Sequence, residues 1–327
     1  MKAWSKWREC MEAREPAEGL ALFRIAVGLC VLFALLSVLV AQIEPVIWHD
    51  AEDGGYLDLG AGPWLVDLLG GPATATVHGL LGAALLGGLG MVLGFGGRVT
   101  TFLTLQAFQA VTDLNPQAGG SYDYLMDNAL WLLVLGGGTQ TLSLDARLRT
   151  GSWRPEATSG SWCRWLILYQ LVLMYWSTGL HKVSAHWTPA GGFSALYYSL
   201  QQPSWHRFDM TWAAHVYPLT QVATAGTWVF ELAAPFLLWI VWMHGRPEAS
   251  SVWVRRVRRA RLRRVWASYG ITLHGVIFLL MEVGPFSWIT LAYYVPIARG
   301  EEWKSTVDRC LRRLSSSRVA KSRAQLG

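Results

Sequence analysis

The stretch YWSTGLHKVSAHW, residues 175–187, sets an imidazole beside a primary amine, His181 and Lys182, at the end of an apolar run that begins near Trp165. A charged side chain in hydrocarbon costs roughly 2.5–3.5 kcal/mol on insertion scales, so its presence there asks for a reason. A desolvated lysine can serve as a general base or a Schiff-base amine. The plainer reading is a lysine that snorkels to the interface, and chemistry alone leaves both open. Consecutive helical residues point about 100° apart, so His181 and Lys182 need not share a site.

Other polar groups sit in apolar runs. Glu231, in WVFELAAPFLLW, must be protonated or paired; it reads equally as a structural group paired with Arg24 or a tryptophan and as a catalytic one. Arg24 itself, one turn inside the first apolar run, is expected to snorkel to headgroups. His274, in ITLHGVIFLL, reads as an interhelical hydrogen-bonding group or a catalytic one. His78 reads as structural, and Asp113, Asp123, Asp127 and Glu282 fall at or near expected helix ends, where solvation accounts for a carboxylate. The four cysteines, Cys10, Cys30, Cys163 and Cys310, lack metal-ligand spacing, so neither a metal centre nor a structural disulfide is expected.

The elements that must carry these groups follow from composition. The chain has 327 residues, 52% hydrophobic and 15% charged, with 19 tryptophans. Soluble domains carry about 25% charged residues, so the composition points to an all-α, polytopic membrane bundle. A span needs about 20 apolar residues. Candidate spans lie at 20–42, 74–95, 98–114, 122–138, 162–182, 219–243, 265–283 and 286–299, eight in all, with a short interfacial helix at 63–69. An aromatic, polar segment, 184–217, separates the fifth from the sixth. Arginines and lysines collect before the first span, at Arg98, at 147–164, in RRVRRARLRR (255–264) and after the last. Those loops alternate with loops that are acidic or poor in Lys and Arg, which puts both termini in the cytoplasm. The basic balance, +6, is thus membrane anchoring and not nucleic-acid binding. The first apolar run is too long for a signal peptide and lacks its small-residue cleavage site. The expected organisation is a cytoplasmic or interfacial segment 1–18, a membrane domain 19–300 and a basic tail 301–327 made of a short helix and disorder. No internal repeat, phosphate-cradling loop or serine-hydrolase elbow is present, and GLLGAALLGGLG (79–90) reads as close helix packing.

Five blocks in order then match a known family: LALFRIAVGL in the first span, SYDYLMDNALWLLVL with SLD at 143–145, YWSTGLHKVSAHW, FELAAPFLL and LHGVIFLLMEVGPFSWITL. With them the chain resembles the horizontally transferred transmembrane (HTTM) family, whose best-known member is the vitamin K-dependent gamma-carboxylase. The third block resembles the carboxylase pattern Tyr-x-x-x-Gly-x-x-Lys-x-x-x-x-Trp, here Tyr175, Gly179, Lys182 and Trp187. The resemblance implies that Lys182 is a base linked to oxygenation of a reduced quinone. Where the carboxylase has a second lysine this chain has His181, and where it has a mid-domain histidine this chain has Tyr122 beside Asp123. The carboxylase carries a lumenal substrate domain after its membrane domain; here residues 301–327 follow the last expected span.

The resemblance implies a carboxylase-like or quinol-linked enzyme, a lyase or oxidoreductase of a bacterial plasma membrane, acting in the outer half of the bilayer on a lipid-soluble, quinol-like or acyl substrate. Lys182, His181, Tyr122, Asp123 and His274 are its candidate catalytic residues. Trp187, Glu231 and Glu282 are candidates for holding a reduced, vitamin K-like quinone, since tryptophan stacks on planar rings. No metal is expected. Two other readings stand beside it: a non-catalytic maturation or immunity partner of a secreted peptide, acting through 184–217 and 43–63, and a small transporter, which the missing inverted repeat disfavours.

Overall fold

The computed structural model describes residues 2–60, 62–246 and 251–324, and they are mostly helical. Two of the described helices, Glu18–Val40 and Thr74–Leu93, are each long and apolar enough to cross a membrane. A third candidate is a bent pair, Thr211–Leu232 followed by Pro235–His244, which turns by 63°. The sequence reads as one span over 219–243. Pro235 breaks it, because proline cannot donate into the preceding turn and its ring clashes there, while it suits the first turn of a new helix.

The chain divides into two compact units, residues 1–165 with 298–327, and residues 166–297. In the first, helices Glu18–Val40, Thr74–Leu93, Gly97–Thr112 and Ser121–Gly136 pack together. Their approach depends on absent side chains: a Cβ at Gly28 would lie 3.0 Å from both the Gly88 carbonyl oxygen and Met91 Cβ. Arg24 does not snorkel. It is 1% exposed, and its guanidinium donates to the carbonyls of Gly138 (2.9 Å) and Leu142 (2.7 Å). Beside it Ser143 caps its own short helix through Ala146 N–H, and the Asp145 carboxylate accepts from Gly96 N–H at 3.0 Å. The Arg-Ile and SLD blocks are therefore two halves of one buried polar junction.

A short antiparallel pair, Arg14–Pro16 with Thr158–Gly160, anchors a second set of charges. Arg164 binds Glu15 at 2.8 Å, and Arg154 bridges Glu18 (3.0 Å) to Asp308 on the last helix. That helix runs Gly300–Ala324, longer than the short one expected of the tail.

The second unit holds the far part of helix Ser161–His181, helices Tyr217–Leu232, Pro235–His244 and Leu262–Leu280, and the short Phe286–Ala292. Segment 184–217 is folded into short helical turns. Leu200, Met210 and Ala213 from it pack with Met281. Its backbone is stitched to the end of Leu262–Leu280, with Glu282 N–H donating to the Trp205 carbonyl at 2.8 Å.

Two outcomes follow. Arg24→Leu leaves two buried carbonyls without a donor and should lower stability by about 2–3 kcal/mol, read as a fall in the melting temperature in detergent; an unchanged melt would show the junction to be dispensable. The hydrogen bond from Arg154 holds the Asp308 carboxyl below its ordinary value. Its contribution is therefore complete above the unfolded carboxyl's range and is lost as pH falls through the depressed folded value. A spin label on the exposed Cys310, with Cys10 replaced by Ser, should gain mobility as pH falls through that range, and Asp308→Asn should be mobile already at neutral pH.

Candidate functional site

The motif residues of the third block share one helical face. Tyr175, Gly179 and Lys182 stand at i, i+4 and i+7, the spacing of a single stripe. Each meets a different requirement. Gly179 lets the neighbouring helix close in: a Cβ there would lie 3.0 Å from Glu231 Cβ and 3.1 Å from Leu232 N. Lys182, one residue past the helix end, directs its ammonium onto Glu231 of Tyr217–Leu232, forming a largely buried ion pair. Trp187, in the next helical turn, lies face-on to that ammonium, 4.7 Å from Nζ to the ring centroid. Glu231's partner is thus Lys182, and neither Arg24 nor a tryptophan.

Tyr175 anchors the other end of the stripe. Its hydroxyl lies 2.6 Å from His274 Nε2 and 2.7 Å from the Tyr294 hydroxyl. Gly270, one turn before His274, is the space that admits the Tyr294 hydroxyl. Phe230 stacks on Trp266 (4.6 Å), and Trp266 on Tyr294 (5.6 Å), so the three polar groups sit within an aromatic wall. His274 Nδ1 is buried and has no hydrogen-bond partner among the described residues. A neutral imidazole has one donor and one acceptor nitrogen. With Nε2 satisfied by Tyr175, either tautomer leaves Nδ1 free to bond a ligand.

Tyr175, Lys182, Trp187, Glu231 and His274 line one cavity of about 310 Å³. Its walls are largely leucine, methionine and aromatic, and Lys182, Glu231, Tyr175 and His274 are polar groups converging on it. Segment 184–217 contributes Trp187, Leu200 and Trp205 to the wall. Ligand sites are of this kind, apolar clefts of about 300–1,000 Å³ with a few placed polar groups.

Of the residues singled out from the sequence, Lys182, Trp187, Glu231 and His274 meet at this cavity. His181 faces elsewhere, its Nδ1 2.8 Å from the Ser177 carbonyl on the exposed side of its helix. Glu282 pairs with Arg207 at 3.1 Å and is outside the cavity lining. Tyr122 and Asp123 belong to the first unit, where the Asp123 carboxylate accepts from Gly120 N–H (2.9 Å) at the start of helix Ser121–Gly136. Sequence reasoning passed over Tyr175 and Tyr294 as site residues. Tyr175 was legible as the first member of the motif stripe; Tyr294 had no local signal.

A family model, the HTTM domain, matches residues 13–303. No curated protein and no solved structure matches the chain.

The ion pair gives a direct test. Lys182→Met leaves the Glu231 carboxyl buried without its partner and should cost about 3 kcal/mol, whereas Lys182→Met with Glu231→Leu should recover most of that loss. A double-mutant cycle on melting temperatures measures the coupling. Additive effects would mean that the two side chains do not interact.

Proposed function

The chain belongs to the HTTM family, and on that premise we propose that it is a membrane enzyme whose second unit binds a lipid-soluble, quinol-like substrate in the cavity beside Lys182. The observation that carries this reading is the convergence of the Lys182–Glu231 pair and an unpartnered imidazole nitrogen on one apolar cavity. A planar ring bearing hydroxyls fits such a site: the ring against Trp187 and the aliphatic wall, an oxygen toward Lys182 Nζ, another toward His274 Nδ1. The alternation of loop charge supports eight spans with both ends cytoplasmic, with the Lys182 end of its helix in the outer half of a bacterial plasma membrane.

A bound reduced quinone would supply reducing equivalents. The chain's own residues supply the proton handling. Lys182 and Glu231 hold one proton between Nζ and Oε2, and the pair stays neutral wherever that proton sits. An ammonium beside a substrate hydroxyl stabilises the oxyanion formed when the hydroxyl loses its proton. An amine in the same place accepts the proton. Tyr175 and Tyr294 extend His274 into a three-member hydrogen-bonded chain. Trp187 and the 184–217 segment limit water at the pair.

The test uses the full chain in lipid nanodiscs with a reduced naphthoquinone and oxygen. Wild type should bind the quinol and consume it. Ala223→Trp, which fills the cavity from Tyr217–Leu232, should abolish binding. Lys182→Ala should keep binding and lower turnover by roughly 10²–10⁴-fold, the usual span for loss of an acid–base group, and Lys182→Arg should not restore proton acceptance. Wild-type turnover in both Lys182 variants would sink the catalytic role. Quinol binding undiminished by Ala223→Trp would place the site elsewhere.

A further inference from the structure

In the first unit, three metal-ligating side chains converge where the sequence shows no metal spacing. Glu44 opens the short helix Glu44–Trp48, His49 follows it directly, and His78 projects from helix Thr74–Leu93. Glu44 Oε1 lies 2.6 Å from His49 Nε2 and 3.4 Å from His78 Nε2. The three ligand atoms all lie within 4.8 Å of one another. We infer that Glu44, His49 and His78 form a binding site for a zinc-class divalent cation, with a fourth coordination position open to solvent.

The distances suit the ion. Zinc bonds of about 2.0–2.1 Å in tetrahedral geometry place neighbouring ligand atoms roughly 3.3 Å apart. The His78–Glu44 separation is already there, and the His49–Glu44 hydrogen bond has to open by less than about 1 Å to reach it. Two imidazoles and one carboxylate select zinc and its neighbours over magnesium or calcium, which take oxygen ligands. A set of three protein ligands is the one that keeps a fourth position for water or substrate.

Charge points the same way. The side chains of Glu44 and His49 are 6% and 5% exposed, so the carboxylate is shut away from water. Residues 41–78 contain neither lysine nor arginine. Among the described residues the ion-pair partners of Glu44 are the two imidazoles alone. Neutral imidazoles leave a buried negative charge, and a divalent cation neutralises it. Asp50, Glu52, Asp53 and Asp58 in the same loop add a negative field that draws cations in.

The ligands are also held in place beforehand. The Asp50 carboxylate accepts from Glu52 N–H (3.0 Å) and Leu59 N–H (2.9 Å), and Tyr56 N–H donates to the Val46 carbonyl at 2.9 Å. Thr74 donates to Asp53 at 2.8 Å, tying the loop to the helix one turn before His78. His78, 56% exposed, is the side from which an ion enters. A bound cation thus cross-links the loop to helix Thr74–Leu93.

The test uses untagged full-length protein in nanodiscs, stripped with chelator and titrated with Zn²⁺, then with Co²⁺ as a spectroscopic probe. Wild type should retain one Zn²⁺ per chain, give the intense visible bands of tetrahedral Co²⁺, and melt at a higher temperature with Zn²⁺ present. His78→Ala removes an exposed ligand and should melt like the stripped wild type, with affinity down at least about tenfold and no tetrahedral Co²⁺ signal. Glu44→Gln should lose the ion as well. Substoichiometric zinc in the wild type would overturn the site. So would an affinity in His78→Ala equal to that of the wild type.

Discussion

A charge in an apolar interior has to find an opposite charge or a set of carbonyls, and that requirement organises this chain more than any apolar contact does. A lone buried ion costs several kcal/mol even after relaxation. Four charged groups here reach partners far away in sequence: Lys182 to Glu231, Arg24 to Gly138 and Leu142, Arg164 to Glu15, Arg154 to Glu18. Leucine and valine side chains tolerate small rotations of one helix on another. An ion pair does not, because a shift of one residue turns the side chain about 100° away. The polar pairs thus fix the helix registers that the apolar faces leave loose.

The breaks in the second unit serve the same geometry. A continuous helix through Glu231 and on to His244 would keep its apolar face uniform. Pro235 ends the first helix just after Glu231, so the carboxylate sits near a helix end within reach of the end of Ser161–His181. Leu262–Leu280 likewise stops short of Gly284, whose φ of 56° and the following Pro285 begin a new short helix. Between these ends the 184–217 segment finds unpaired backbone to bond to and supplies one wall of the cavity. Small residues permit the close approaches: Gly179 admits the backbone carrying Glu231, and Gly270 admits a tyrosine hydroxyl.

Much of this was legible locally. The length and apolarity of Glu18–Val40 and Thr74–Leu93 read directly as spans, and the Tyr175–Gly179–Lys182 spacing reads as one helical face. Partner choice was not legible. Glu231 lies 49 residues from Lys182 and Tyr294 lies 119 from Tyr175, and no local pattern encodes which helices become neighbours. Arg24 shows how this misleads: one turn inside a span, snorkelling is the natural expectation, yet the Gly137–Gly138 turn places carbonyls within its reach. Glu44, His49 and His78 were invisible for the same reason, since the third ligand comes from another helix. Three of the HTTM blocks compensate in part, because Tyr175, Lys182 and Trp187 of one, Glu231 of the next and His274 of the last line the same cavity.

The Lys182–Glu231 pair ties the structural constraint to the proposed chemistry. Ammonium with carboxylate and amine with carboxylic acid have the same net charge, so a proton moving between Nζ and Oε2 leaves no uncompensated charge in the low-dielectric interior. A ligand that places a hydroxyl beside Nζ favours the arrangement that accepts its proton. A ligand that places an oxyanion there favours the ammonium. On the proposed reading His274 Nδ1, which has no partner among the described residues, bonds a second oxygen of the ligand in whichever tautomer the Tyr175–Tyr294 chain imposes. The pair that holds two helices in register is therefore also suited to exchanging a proton with whatever fills the cavity. Replacing it with well-packed apolar residues keeps the stability and removes the proton exchange, and that separation distinguishes a structural ion pair from a functional one.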